Sequence, residues 1–443
     1  MLRQLTALAA LLATANAWLP DESPKARMTS RGLELVPAAE QVNATEFEEA
    51  AIVNARNGKH RRWTPGRVPL RGVNLGSLFV YEPWLAEPEW KDASRMDCGD
   101  SKSEFDCVIR HGQTKANQKF QQHWQDFIPE SEFDLMVAAG INTVRIPIGY
   151  WMYDAIIEPN SERFPRGGLE HLKRICGYAS DRGFYIFLEL HGAPGAQKAQ
   201  EAFTGQYAPT PGFYNDYNYG RATQFLSWLT EVVHRTGEGS DDRMRNVGAI
   251  GVVNEPLSWE NQVDSLRRKF YPDAYNAIRA KESQLGIPRN DALHVGFMNT
   301  LWGSGNPKEF LPSGAFSTIF EDHRYVKFDP SVPKTHDDYI RDACTNDRSS
   351  PGEDPTVVTE WSISPPDENT SYWDRSDANK AFFQKWFRAA VIGYERFTLG
   401  WTFWTWKYQS DDWRWSYKGA LDAGVIPWDL NTVASSGACN GYI

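Results

Sequence analysis

From about residue 67 onward, short apolar runs rich in Val, Ile and Phe alternate with longer stretches in which apolar residues recur at helical spacing. Runs of the first kind fit buried strands, and stretches of the second kind fit amphipathic helices. Eight runs qualify as strands: 70–75, 142–146, 184–190, 248–253, 293–298, 316–321, 356–359 and 399–403. Between them lie helical stretches such as PESEFDLMVAAG, GLEHLKRICGYASDRG, GRATQFLSWLTEVVHR and NKAFFQKWFRAAVIGYE, the first expected to open on a Ser131 cap. This alternation implies a parallel sheet, and eight strand–helix units close into an α/β fold of the (β/α)8 TIM barrel type. An open, doubly wound sheet is the competing arrangement, but no G-x-G-x-x-G follows the first strand.

The N-terminal segment reads differently. Residues 1–17, MLRQLTALAALLATANA, combine Arg3, an apolar stretch and an A-x-A ending, the pattern of a signal peptide. Residues 18–66 are polar, charged and punctuated by Pro, as expected of an N-terminal arm or a removable pro-segment, with Arg61 and Arg62 as a candidate processing site. Residues 67–443 are left as a single catalytic domain. A secreted protein without a membrane anchor is therefore expected, and a monomer.

Charge and cysteine content narrow the partners. With 57 acidic against 47 basic residues the chain carries a formal charge of -10, and no Lys/Arg run offsets it locally, so nucleic acid is excluded as a partner. Five cysteines remain for an oxidising compartment. Cys98 and Cys107 flank a short polar loop and form the expected bridge; Cys176, in a helical stretch, is expected to be the free buried thiol; a Cys344–Cys439 pair is possible, but no spacing supports it. No C-x-x-C or H-E-x-x-H pattern occurs, so neither a metal nor another cofactor is expected. Asn43 and Asn369 open N-glycosylation sequons.

Two strands end in an acid. The apolar run 247–253 stops at Asn254, Glu255 and Pro256, and TVVTEWS places Glu360 at the end of the seventh strand. In a barrel of this kind the C-terminal strand ends form the floor of the active site, so strands four and seven would bring the two glutamates toward each other across its mouth. A pair of carboxyls, one protonated and one ionised, is what glycoside hydrolysis requires, at a separation of about 5–5.5 Å for retention of configuration. A structural ion pair with Arg145 is the alternative for either acid alone. Asn254 and Glu255 are neighbours on a strand and can share a site only where the strand end is bulged or sharply twisted.

From about Arg71 to Asn431 the chain resembles glycoside hydrolase family 5. The resemblance rests on RGVNLGS and EPW (71–84), RIPIGYW (145–151), HGAPG (191–195), NEP (254–256), HRY (323–325), EWS (360–362) and FWTWK (403–407). It implies Glu255 as acid/base and Glu360 as nucleophile, Asn254 on the sugar 2-hydroxyl, and Arg145 lowering the pKa of Glu360. It also implies Tyr325 donating to the same carboxylate, His191 and His323 orienting sugar hydroxyls or the acid, Trp404 under the reacting sugar, and Glu82 in substrate binding. The loops MDCGDSKSEFDCV, FTGQYAPTPGFY, LWGSGNP, DDWRWSY and AGVIPWDLN are similar to those of fungal endo-β-1,6-glucanases, whereas the strand motifs are shared with fungal exo-β-1,3-glucanases. The resemblance thus implies an endo-acting, retaining β-1,6-glucanase whose partner is a β-glucan, with exo-β-1,3-glucanase as the alternative and a non-catalytic cell-wall binding protein as a further one. Thr359 departs from the glycine expected before the nucleophile, and is expected to shift Glu360 or narrow the first subsite. Tyr81, Trp413 and Trp415 are further candidate sugar contacts.

Overall fold

The structure, a computed structural model, describes residues 26–29, 32–35, 68–236, 241–259 and 262–443. The expected signal peptide, the Arg61 and Arg62 processing site and the Asn43 sequon lie outside the described residues, as does most of the 18–66 segment. Within that segment Ala26–Thr29 pairs antiparallel with Gly32–Leu35.

Eight parallel strands close a barrel: β1 (Leu70–Asn74), β2 (Thr143–Gly149), β3 (Tyr185–Gly192), β4 (Val247–Gly251), β5 (His294–Met298), β6 (Thr318–Arg324), β7 (Thr356–Trp361) and β8 (Gly400–Phe403), with β8 paired to both β7 and β1. All eight expected strands are present. One difference falls at β4, which stops at Gly251 although its apolar run continues to Val253; single cross-strand bonds from Val252 and Asn254 follow, and only Glu255 leaves the ladder.

Around the barrel run α1 (Glu130–Ala138), α2 (Leu169–Asp181), α3 (Asp216–Thr236), α4 (Tyr271–Gln284), α5 (His336–Thr345) and α6 (Asp377–Phe397). In α3 the buried positions Ala222, Phe225, Leu226, Leu229 and Val233 follow helical spacing and face the sheet. The Ser131 cap is not observed: α1 begins two residues earlier than that cap implies, at Glu130, with Pro129 at the N-cap and no side-chain cap.

Two apolar layers result from strand alternation. Tyr185 and Phe187 point inward with Leu70, Ala249, Ile319 and Val357, while Ile186 and Leu188 join the large cluster between sheet and helices. The inner layer closes the bottom of the barrel, so polar side chains nearer the C-terminal strand ends can only face the mouth. Cys98 is bonded to Cys107, Cys176 is free and buried, and Cys344 on α5 is bonded to Cys439. No helix among the described residues is long and apolar enough to cross a membrane.

Candidate active site

Arg145 organises the mouth. It is the third residue of β2, fully buried, and its guanidinium donates to Glu360 Oε1 at 2.8 Å, to Asn74 Oδ1 at 3.0 Å, to Asn254 Oδ1 at 3.0 Å and to Glu321 Oε2 at 3.2 Å. Burial alone would lower its pKa, but the carboxylates of Glu189, Glu321 and Glu360 outweigh that and raise it, so the charge is fixed. Asn74, at the end of β1, in turn donates to the carbonyls of Thr359 (2.9 Å) and Phe403 (3.2 Å) and ties β1 to β7 and β8.

Glu360 owes its orientation to a slip in the ladder. Asp322 pairs with Val358 and the next residue, His323, pairs with Glu360, which leaves Thr359 as the extra residue of a bulge. The bulge turns Glu360 into the mouth, where its Oε2 accepts from the Tyr325 hydroxyl at 2.9 Å and lies 3.5 Å from His323 Nδ1. His191 Nε2 is 3.9 Å from Oε1. Thr359 is fully buried, with its hydroxyl 3.5 Å from the Asp322 carbonyl, and these contacts to Glu360 coexist with its β-branched side chain.

Glu255 reaches the same space by a different local device. Asn254 still donates its N–H to the Leu190 carbonyl at 2.9 Å, and then Glu255 adopts φ 39°, in the left-handed region. That conformation costs a non-glycine residue about 1–3 kcal/mol. It is the sharp twist that lets neighbouring residues serve one site. Glu255 Oε1 lies 2.8 Å from His323 Nδ1, and Oε2 lies 3.7 Å from Lys198 Nζ. A carboxylate oxygen from Glu255, one from Glu360 and a nitrogen of His323 all fall within 4.8 Å of one another.

The charges differ from the expectation in one respect. For Glu360, burial raises the carboxyl pKa; His323 and Arg145 pull it down, Arg145 with the expected sign, but Glu255 pushes it up and the net position stays above the ordinary range because burial outweighs the cations. For Glu255, burial would raise the pKa, but the His323 contact with help from Lys198 brings it below the ordinary range. His323 is the counterpart: burial would lower its pKa, and the two glutamates raise it. These directions favour a proton on His323 over one on Glu255, with which it is in contact. His191, lowered by burial and then by Arg145, is neutral.

Aromatic and polar side chains line the walls. Trp404 is buried and stacks on the His191 ring at 5.6 Å and 4°. Glu82 accepts from the Trp84 indole at 2.9 Å; burial pushes its carboxyl well up, and although that hydrogen bond opposes the shift, the charges of Glu360 and Glu255 add to it. Trp84 is 41% exposed and meets the edge of Trp415 at 5.3 Å. On the Glu255 side Lys198 lies over the Trp302 ring at 5.3 Å, the Trp302 indole donates to the Pro256 carbonyl at 2.8 Å, and Trp259 is 84% exposed. Two candidate contacts are structural instead. Tyr81 is buried, donates to the Ala86 carbonyl at 2.9 Å and packs on Trp90, and Trp413 packs edge-on against Phe383. Sequence reasoning missed Asn74, Lys198, Trp302, Glu189 and Glu321; Asn74 and Glu321 had a visible signal, as polar residues at the ends of apolar strand runs.

Residues 108–410 match the family model described as cellulase (glycosyl hydrolase family 5). The chain belongs to glycosyl hydrolase family 5. It is 46% identical over 441 residues to a protein of Neosartorya fischeri named probable glucan endo-1,6-beta-glucosidase B, covering 99% of this chain and 100% of the relative. It is 29% identical over 407 residues to a glucan 1,3-beta-glucosidase of Blumeria graminis, covering 82% and 88% of the two chains. Among solved structures, rutinosidase from Aspergillus niger shares the fold with a TM-score of 0.62 at 19% identity, over 81% of this chain and 98% of that one. Family membership makes the chain a glycoside hydrolase, and retention of configuration is typical of this family.

Proposed function

We propose that the protein is a secreted, endo-acting β-1,6-glucanase that cleaves by double displacement, with Glu360 as nucleophile and Glu255 as acid/base. The observation that carries the mechanism is the approach of the two carboxylates to within 4.8 Å with His323 between them, which is near the spacing of retaining rather than inverting glycosidases. Glu360 attacks the anomeric carbon while the glycosidic C–O bond breaks and the leaving oxygen takes a proton from Glu255. His323 Nδ1, 2.8 Å away, supplies that proton to Glu255 as the sugar displaces water. In the second half, Glu255 takes a proton from water, which attacks the same carbon and releases Glu360.

In this reading Asn254, whose Oδ1 accepts from Arg145 at 3.0 Å, bonds the sugar 2-hydroxyl, and Trp404 lies under the ring. Tyr325 keeps its proton because burial and the neighbouring glutamates hold its pKa up, so it remains a donor to Glu360.

The linkage is supported by the 46% identity to the 1,6-acting relative against 29% to the 1,3-acting one. Endo action is supported by aromatic side chains on both sides of the glutamates, exposed Trp84 with half-buried Trp415 on one and exposed Trp259 with half-buried Trp302 on the other, which suit a chain of sugars running through an open cleft. Hydrolysis of pustulan, a β-1,6-glucan, with oligosaccharides as early products tests both statements. Cleavage of laminarin alone, with glucose as the only product, would favour the exo-1,3 reading. Secretion is supported by the N-terminal sequence pattern and the two disulfides.

A further inference from the structure

Below the glutamate pair lie two more carboxyls that the mechanism does not use. Glu189 of β3 and Glu321 of β6 point into the barrel and are 0% and 1% exposed. Glycines make room for them. A Cβ on Gly251, the register partner of Glu189, would fall 1.5 Å from Glu189 Oε2, and one on Gly296 would fall 2.6 Å from Glu321 Oε1. Arg145 is the cation they share, 3.6 Å from Glu189 Oε2 and 3.2 Å from Glu321 Oε2, while it also holds Glu360 at 2.8 Å. Three ionised carboxylates against one guanidinium would leave an uncompensated buried charge, which costs several kcal/mol even after relaxation.

The hydrogen bonding points the same way. Neither oxygen of Glu189 nor Oε1 of Glu321 receives a donor from the described residues, and Oε2 of each stands against the same Arg145 nitrogen. Two buried carboxyls that share one cation avoid a second uncompensated charge only when one of them keeps its proton. The charged and titratable groups facing the pair are Arg145 of β2, Glu360 of β7 and Tyr271 of α4, with His191 and His323 two residues further along the same two strands.

We propose that Glu189 and Glu321 share a single proton and act as a positioning pair, presenting one negative charge rather than two to Arg145 so that its guanidinium stays on Glu360. Burial, followed by the charge of Glu321, pushes the Glu189 carboxyl well up, in keeping with a retained proton. The functional part of the proposal rests on Glu360 being the nucleophile; the shared proton does not.

Infrared difference spectra at pH 7 test the proton directly. A protonated-carboxyl band is expected to disappear on Glu189→Gln and to persist in Glu82→Gln and Glu104→Gln, whose own carboxyls burial also pushes up. Absence of any band lost with Glu189 would overturn the proposal. The double variant Glu189→Gln with Glu321→Gln removes the remaining anion, and the acid limb of kcat/KM is expected to move down by about one pH unit as Arg145 turns wholly to Glu360. A purely structural pair would lower the melting temperature and leave that limb in place, which would contradict the positioning role. Activity surviving in Glu360→Gln would remove the nucleophile assignment while leaving the infrared result standing.

Discussion

The Nδ1 of His323 stands 2.8 Å from Oε1 of Glu255, and that contact governs how the site responds to pH. As the proposed nucleophile Glu360 must be ionised, and its pKa is raised, so the rate is expected to fall as pH drops through a value above the ordinary carboxylate range. In the proposed mechanism His323 supplies the proton to Glu255, and its pKa is also raised, so the rate is expected to fall again as pH climbs through a value above the ordinary histidine range. A kcat/KM profile measured on pustulan is expected to be bell-shaped with those limbs. His323→Asn is expected to move the basic limb and to lower kcat by about 10²-fold or more.

The two glutamates should separate kinetically by leaving group. Glu360→Gln is expected to lose at least about 10³-fold on every substrate, since it abolishes attack itself. Glu255→Gln is expected to lose about 10²–10⁴-fold on glucan and far less on an activated aryl glucoside that needs no proton. Equal losses on both substrates in the Glu255 variant would contradict its role as acid.

Cys439 ties the C-terminal segment to α5 through Cys344 across 95 residues of chain. Cys439→Ser is expected to cost about 2–5 kcal/mol in a denaturant titration, because closing so long a loop restricts the unfolded chain strongly. Activity at low temperature should be retained.

His294, buried at the start of β5 beside the Tyr185 hydroxyl, is lowered to about 4 by burial. The folded chain therefore binds this proton less readily than the unfolded one. Stability from this group is lost as pH falls from about 6.5 toward 4, by up to about 3 kcal/mol. His294→Gln should flatten that part of the stability curve relative to the parent protein.

Much of the active-site layout could be read without coordinates because each residue occupies a repeating place. Asn254, Glu255, His323, Tyr325 and Glu360 stand at or just past C-terminal strand ends, which a closed barrel brings together, whereas Arg145, the third residue of β2, reaches them from within its strand. The unread features depend on local departures from regularity or on alignment between strands. The bulge at Thr359 is a single-residue event that periodicity does not show, whereas a bulge or twist at Glu255 follows from two neighbouring residues serving one site, and only its left-handed form is not read from the sequence. Glu189 fits only because Gly251 lies beside it in the register, and that register is set by the whole sheet. Cys344 and Cys439 are joined because the chain after β8 returns to α5, a path no spacing rule supplies.

The central claim is a covalent bond between the sugar and Glu360. Incubation with an activated 2-deoxy-2-fluoro-β-glucoside followed by mass spectrometry of peptides is expected to find one fluoroglucosyl group on the peptide carrying Glu360. A label on Glu255, or an unlabelled protein that releases product with inverted configuration, would contradict it.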